Sequence, residues 1–163
     1  MKISLDKAKS NKLFYVVTNG VIYHPRTKKC LILQRSFQEK VHPGKWGVVG
    51  GKMEWEELKD PPTRYNGIVP DWVGLVEKSL AREAFEESGL KVADPRYLFS
   101  IVFIRPDKVP VVLLIFAVRY KSGQVKIAPE FEGFAWVDST EVKKFDLIEG
   151  IADEIKQAIK IYS

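Results

Sequence analysis

The sequence predicts an α/β fold with a β-sheet covered on both faces. Three observations carry this. Val109 to Val118 is an almost unbroken apolar run of strand length, which suits a central strand screened from water on both sides. Val76, Leu80, Ala84 and Phe85 recur at helical spacing between Asp71 and Gly89. Leu147, Ile151, Ile155, Ala158 and Ile159 form a second apolar stripe within residues 146–162.

From the N-terminus, residues 13–24 are rich in β-branched and aromatic side chains and read as a strand with a bend near Asn19-Gly20. A turn at 25–29 leads into a second strand at 30–36, giving a hairpin. Pro43-Gly44 punctuates a loop, and a short strand at 46–52 ends in the tight Gly50-Gly51 pair. Residues 53–73 mix prolines, carboxylates and aromatics with neither period, so a long ordered loop or lid is expected there. Asp71 is the expected N-cap of the following helix, Gly89 its stop, and Ala84 and Phe85 its core-facing residues. Two long strands, 95–106 and 109–120, are joined by the hairpin turn RPDKVP. A short strand at 133–137, a helical turn at 139–145 capped by Ser139 or Thr140, and a packing helix at 146–162 complete the chain.

A chain of 163 residues, 45% of them hydrophobic, can bury one substantial core, so residues 1–163 are read as a single domain. The net charge of +5 is spread without a block of like charges, which gives no reason to expect DNA as a partner. Cys30 is the only cysteine and lies in a strand, as a buried thiol in a reducing cytoplasm would. No apolar run is long enough to cross a bilayer, and the first residues have no signal-peptide core, so no membrane partner is expected. Homodimerisation is left open.

The chemistry concentrates in LAREAFEESGL, residues 80–90. Residues three and four apart on a helix are neighbours, so Glu83, Glu86 and Glu87 converge, and their mutual repulsion asks for a counter-charge. A hard dication such as Mg²⁺ takes carboxylate and carbonyl oxygens together with substrate phosphates. GGKMEWEE at 50–57 with REAFEESGL at 82–90 resembles the Nudix box, whose pattern is Gly, five residues, Glu, seven residues, then Arg-Glu-aliphatic-any-Glu-Glu-any-Gly-aliphatic. Arg82, Glu83, Glu86, Glu87, Gly89 and Leu90 fit the second half, and Gly51 and Glu57 the first. The spacer departs: residues 58–81 number 24, with the excess placed at about 58–73 as an inserted loop or lid. Counted back from Arg82, the first glutamate of the pattern would fall on Gly74. LQRS, GKWGVVGGK and EGFAWVDSTEV are similar to the family's flanking segments.

The resemblance implies a Nudix-type α/β/α sandwich with a mixed sheet, and a MutT-like enzyme. Glu83, Glu86, Glu87 and the Gly50 carbonyl would hold Mg²⁺, or Mn²⁺. Arg82 would orient the box, with Gly51, Glu57 and Gly89 as structural members. Water would be activated by a box glutamate or by a later one, Glu130 or Glu132, with Glu132 favoured by its spacing to Trp136. Arg35 matches a substrate-contacting arginine of MutT-type members, and Lys45 and Lys52 are weaker candidates for the same task. Trp55, Tyr65 and Trp72 offer flat faces to a base, or pin the insertion to the body. The expected reaction is hydrolysis of a nucleoside triphosphate, oxidised or non-standard ones included, to nucleoside monophosphate and pyrophosphate. The alternatives are ADP-ribose or another nucleoside diphosphate derivative as substrate, and a non-catalytic module that binds nucleotide or RNA. Pro106, 16 residues after Leu90, lies close to where ADP-ribose hydrolases of the family place a proline, but prolines are common in hairpin turns anyway.

Overall fold

The computed structural model describes residues 4–163. In chain order its strands are β1 (Tyr15–His24), β2 (Lys29–Arg35), β3 (Trp46–Gly47), β4 (Val49–Lys52), β5 (Arg64–Asn66), β6 (Val69–Asp71), β7 (Lys91–Ile104), β8 (Pro110–Ser122) and β9 (Phe131–Val137). Helix α1 spans Leu75–Ser88 and α2 spans Ile151–Tyr162. Seven strands form one mixed sheet in the order β3-β2-β1-β8-β7, with β4 also paired to β1 and β9 to β2. The parallel pair is β1 with β8, running from Tyr15↔Val111 to Tyr23↔Arg119.

Strand alternation sorts the core into two layers. Ile22, Leu31, Leu33, Phe116 and Val118 pack with Leu80 and Ala84 of α1, while Val21, Tyr23, Cys30, Ile32 and Ala117 pack with Ile151, Ile155 and Ala158 of α2. Both faces of β1, β2 and β8 are therefore buried, which explains their near-continuous apolar sequences. The α/β/α sandwich expected from the sequence is present. Burial pushes the Cys30 thiol up to about 12, which leaves it an inert core residue. No helix among the described residues is long and apolar enough to cross a membrane.

Several local expectations need correction. The bend at Asn19-Gly20 is absent: β1 runs unbroken and changes neighbour, pairing β4 through Val17 to Gly20 and β2 at Tyr23 and His24. Gly20 serves close approach instead, since a Cβ there would lie 2.8 Å from Leu80 Cδ1. Residues 46–52 form two strands, β3 on β2 and β4 on β1. Asp71 does not cap α1; it ends β6, ion-paired to Arg64 at 3.0 Å, and the helix begins after Gly74 in the left-handed region. Phe85 is 51% exposed, since the inner face of α1 is filled by Leu80 and Ala84. The turn at 139–145 is capped by Asp138, whose carboxylate accepts the Thr140 and Glu141 N–H groups at 2.8 and 3.0 Å.

Gly89 ends α1 as expected, at φ 72°, with its N–H donating to Phe85 O. An added Cβ would also press on Gln124 O at 3.0 Å. Gly89→Ala should therefore cost about 1–3 kcal/mol in urea unfolding; a loss below half of the lower figure would show that the turn relaxes freely.

Candidate active site

The C-terminal half of α1 lies against β4, and the glycine pair makes that approach close. A Cβ on Gly51 would overlap the Glu83 carboxylate. The Gly50 N–H donates to Glu87 Oε2 at 2.9 Å. Gly50 stands opposite Asn19 of β1.

Arg82 organises the carboxylates from the flank. Its Nη2 donates to Glu57 Oε1 and to Glu83 Oε1, both at 2.8 Å, and its Nη1 to Glu86 Oε2 at 2.7 Å. Burial works against the Arg82 charge, but the hydrogen bond to Glu57 and the charges of Glu83 and Glu86 outweigh it and raise its pKa further. Ser79 Oγ adds a 2.6 Å hydrogen bond to Glu57 Oε1. Residues 79, 82 and 83 stand at i, i+3 and i+4, so the helix surface brings all three to one place. The hydroxyl of Ser79, one turn before Arg82, is a site contact that sequence reasoning missed.

The electrostatics differ among the glutamates. Burial pushes Glu87 up to about 8, reinforced by Glu83 and Glu130 and opposed by the Gly50 N–H and Arg35. Burial also raises Glu83, against the pull of Arg82. Glu86 is the outermost, with 55% of its side chain exposed. Among the described residues no three acidic, histidine or cysteine side chains converge on one ligand point, because Arg82 holds Glu83 and Glu86 while Gly50 holds Glu87.

The two late glutamates part company. Glu132, favoured on spacing, accepts Ser36 Oγ at 2.8 Å and the Phe37 N–H at 3.1 Å and so fastens the loop after β2. Glu130 is the one whose charge acts on Glu87, because its loop docks on the end of α1 through Ala128 N–H to Glu87 O and Lys126 N–H to Ser88 O. Sequence spacing to Trp136 could not register that docking. Arg35 ends β2 with its Nε donating to Val41 O and its Nη2 to Glu39 Oε2, each at 2.8 Å. Its charge still reaches Glu87. Lys52 closes β4 with its side chain exposed. Lys45 is engaged elsewhere, with Asp146 at 2.7 Å. His24 stacks on Tyr120, which accounts for it structurally.

No family model matches the chain, and no curated protein does. Solved structures do. The NUDIX domain of Shewanella oneidensis NrtR, complexed with ADP ribose, superimposes with a TM-score of 0.70 at 16% identity, covering 98% of this chain and 96% of that one. The MutT protein from Methanosarcina mazei Go1 gives 0.65 at 20% identity, covering 94% and 98%. A MutT NUDIX hydrolase from Burkholderia pseudomallei gives 0.61 at 20% identity, covering 91% and 98%. The chain has the Nudix fold.

Within that fold the two segments that resemble the Nudix box are apart in sequence and meet in space. Residues 55–59 form a 3-10 turn, and β5 and β6 form a hairpin that the sequence reading treated as irregular. The excursion is tied at its base: Trp72 Nε1 donates to Asp60 O at 2.9 Å, Thr63 N–H to Asp71 O at 2.8 Å, and Lys78 meets Asp60 at 2.6 Å. Glu57 is thereby returned to Arg82. Trp72 pins the insertion, whereas Trp55 and Tyr65 are 49% and 66% exposed.

Proposed function

We propose that this chain is a Nudix hydrolase that cleaves a nucleoside triphosphate, oxidised or non-standard ones included, to nucleoside monophosphate and pyrophosphate in the presence of Mg²⁺ or Mn²⁺. The observation that carries the reading is the placement of Glu83 and Glu87 on the backbone of Gly51 and Gly50, with Arg82 clamped beside them. The donor set fits a hard dication: it consists of carboxylate oxygens and a backbone carbonyl, with no sulfur or imidazole. Glu83, Glu86, Glu87 and the Gly50 carbonyl would hold it, with Glu83 and Glu86 turning to it from Arg82, which now engages both. Such an ion, when bound, cancels phosphate charge and lowers the pKa of water.

The chain's own residues supply the rest. Water attacks a phosphorus of the phosphoanhydride, the bridging P–O bond breaks, and pyrophosphate leaves with the bond electrons. Glu130, within electrostatic reach of Glu87, is the preferred acceptor of the water proton, and Glu132 steadies the loop beside it. Arg82 positions Glu83 and Glu86 and does not touch the reacting phosphorus. Arg35 keeps N–H groups free beyond those given to Glu39 and Val41, and with Lys52 it would bind the phosphates. The insertion would act as a lid, with Trp55 and Tyr65 presenting their rings. The partner is a small nucleotide and not DNA, and the buried Cys30 suits a cytoplasmic setting.

Likeness to the NUDIX domain complexed with ADP ribose favours ADP-ribose, or another nucleoside diphosphate derivative, as the second reading. One assay separates the readings: incubation with Mg²⁺ and nucleoside triphosphates, oxidised nucleotides, ADP-ribose and diadenosine polyphosphates, with products identified. Monophosphate and pyrophosphate from a triphosphate support the first. Turnover of ADP-ribose alone selects the second, and binding without turnover of any of them means a non-catalytic module.

Arg35→Ala should raise KM for the triphosphate by about tenfold or more while kcat changes little, as loss of a charge-assisted contact to phosphate would. An unchanged KM would reduce Arg35 to a clamp for Glu39.

A further inference from the structure

We propose that the outer edge of β7 is a self-association surface, on which a second copy of this chain pairs antiparallel through residues 99–104 about a two-fold axis at Val102. β7 ends the sheet, and among the described residues no strand lies on its outer side. An open edge is a template for another strand, and folded proteins ordinarily blunt it with charge, proline or bulges. The first half of β7 is blunted in this way, with register shifts at Lys91/Val92, Ala93/Arg96 and Tyr97/Phe99. The second half is not. From Phe99↔Ile115 to Ile104↔Pro110 the register is unbroken, and the six residues FSIVFI hold no charge, proline or glycine. A flat, uncharged stretch of this kind asks for a cover.

Four observations favour a second copy as that cover. The Arg105 N–H donates to Val109 O at 3.0 Å, and Pro110, which has no N–H, stands opposite Ile104. Hydrogen-bonded and non-hydrogen-bonded pairs alternate along an antiparallel ladder, so Ile104, Val102 and Ser100 turn their backbone groups outward. That edge is its own complement: with Val102 on the axis, Ser100 of each copy meets Ile104 of the other and Ile101 lies beside Phe103. The area suffices as well. Ile101, Val102, Phe103 and Ile104, with Leu13 and Phe14 beyond a shared hollow of about 470 Å³, are 40–70% exposed. Six half-exposed side chains of about 150–250 Å² each present on the order of 600 Å², at the upper limit for a bare patch on a monomer and near the 600–800 Å² that each partner buries in a specific dimer. Arg96 and Arg105, which bracket the stretch, have counter-charges within the chain, Asp94 and Asp107, each at 2.8 Å. Finally, β9 at the other side of the sheet pairs only with β2, carries Glu132 and Gly133, and faces a register shift between Gln34 and Arg35. With one flat apolar edge per chain, association closes at two copies and does not run on into a fibre.

Sedimentation equilibrium and amide hydrogen exchange on the full chain test this. Wild type should sediment at twice the mass of one chain, with a Kd of about 1 µM or below. The Ser100, Val102 and Ile104 amides should exchange about tenfold or more slowly at about 100 µM than on dilution below the Kd. Val102→Lys sets two ammonium groups together at the axis and should be monomeric, with a Tm close to that of wild type. Val102→Thr, which keeps a β-branched side chain, and Ile161→Lys, on the exposed side of α2, should remain dimers. If Val102→Lys does not fold, Ile104→Lys and the wild-type amides decide. Wild type that stays monomeric at about 100 µM overturns the proposal and leaves the edge to a different chain. A dimer that survives Val102→Lys, or that leaves the three amides unprotected, overturns it too and puts the interface on another face.

Discussion

Glu87→Gln should lower kcat by about a thousandfold with the fold intact and KM nearly unchanged, because a buried charge that acts in the transition state is replaced by a neutral isostere. The amide oxygen can still accept the Gly50 N–H, so the backbone contact at 2.9 Å survives. A kcat within a few-fold of wild type would remove Glu87 from the ligand set. A second measurement follows from its proton. Without metal, Glu87 is held up at about 8 against an ordinary 4.5, so the folded chain retains a proton that the unfolded chain releases. The stability linked to that proton is fully present below pH about 4.5 and is lost as pH rises through 8. In EDTA the wild-type Tm should therefore fall between pH 5 and pH 8, with at most about 4 kcal/mol at stake. Glutamine does not titrate, so the variant should show a shallower slope. The remainder comes from Glu154, raised to about 7, and from Glu83, which burial also raises, both with the same sign. Equal slopes in the two proteins would place the retained proton elsewhere.

Arg82→Leu should be the most destabilising change in the box. It strips the guanidinium from Glu57, Glu83 and Glu86 together, and the side chains of Glu57 and Glu83 are only 12% and 15% exposed. Leaving one partner of a buried pair behind costs about 3–5 kcal/mol; with Arg82 itself 37% exposed, screening reduces the expectation to about 2–3 kcal/mol. Urea unfolding measures it. Adding Glu57→Gln should recover part of the loss, because the stranded charge goes with it. Losses that add would show that Arg82 and Glu57 do not share a network.

The three layers were legible because burial on both faces writes itself as unbroken apolar strands, and the helices as stripes. That Glu83, Glu86 and Glu87 share one helix was legible because helical spacing is local; that Arg82 and Gly50 hold them apart was not. What escaped depended on long-range contacts. Glu130 acts on Glu87 through its charge while Glu132 accepts from Ser36 and Phe37, and two positions of sequence cannot record that difference. Asn19 read as a bend residue because its ladder partners come from β4 and β8. The β5–β6 hairpin did carry a local signal: Asn66 pairs with Val69 around Gly67, at φ 62°, and glycine at the first loop position suits a tight hairpin turn. Prolines and carboxylates on either side masked it. Asp71 was a sound cap in isolation, but its carboxylate was already committed to Arg64.

The tie of Asp60 to Trp72 and Lys78 has a consequence for the motif itself. Between Glu57 and Arg82 the chain leaves the body and re-enters at nearly the place it left, and loop closure grows only slowly more costly with length. The Glu57–Arg82 contact is thus a constraint on separation in space, indifferent to how many residues intervene. A pattern written as a fixed count of letters describes the shortest route across this gap; here the route has lengthened and its two ends still meet.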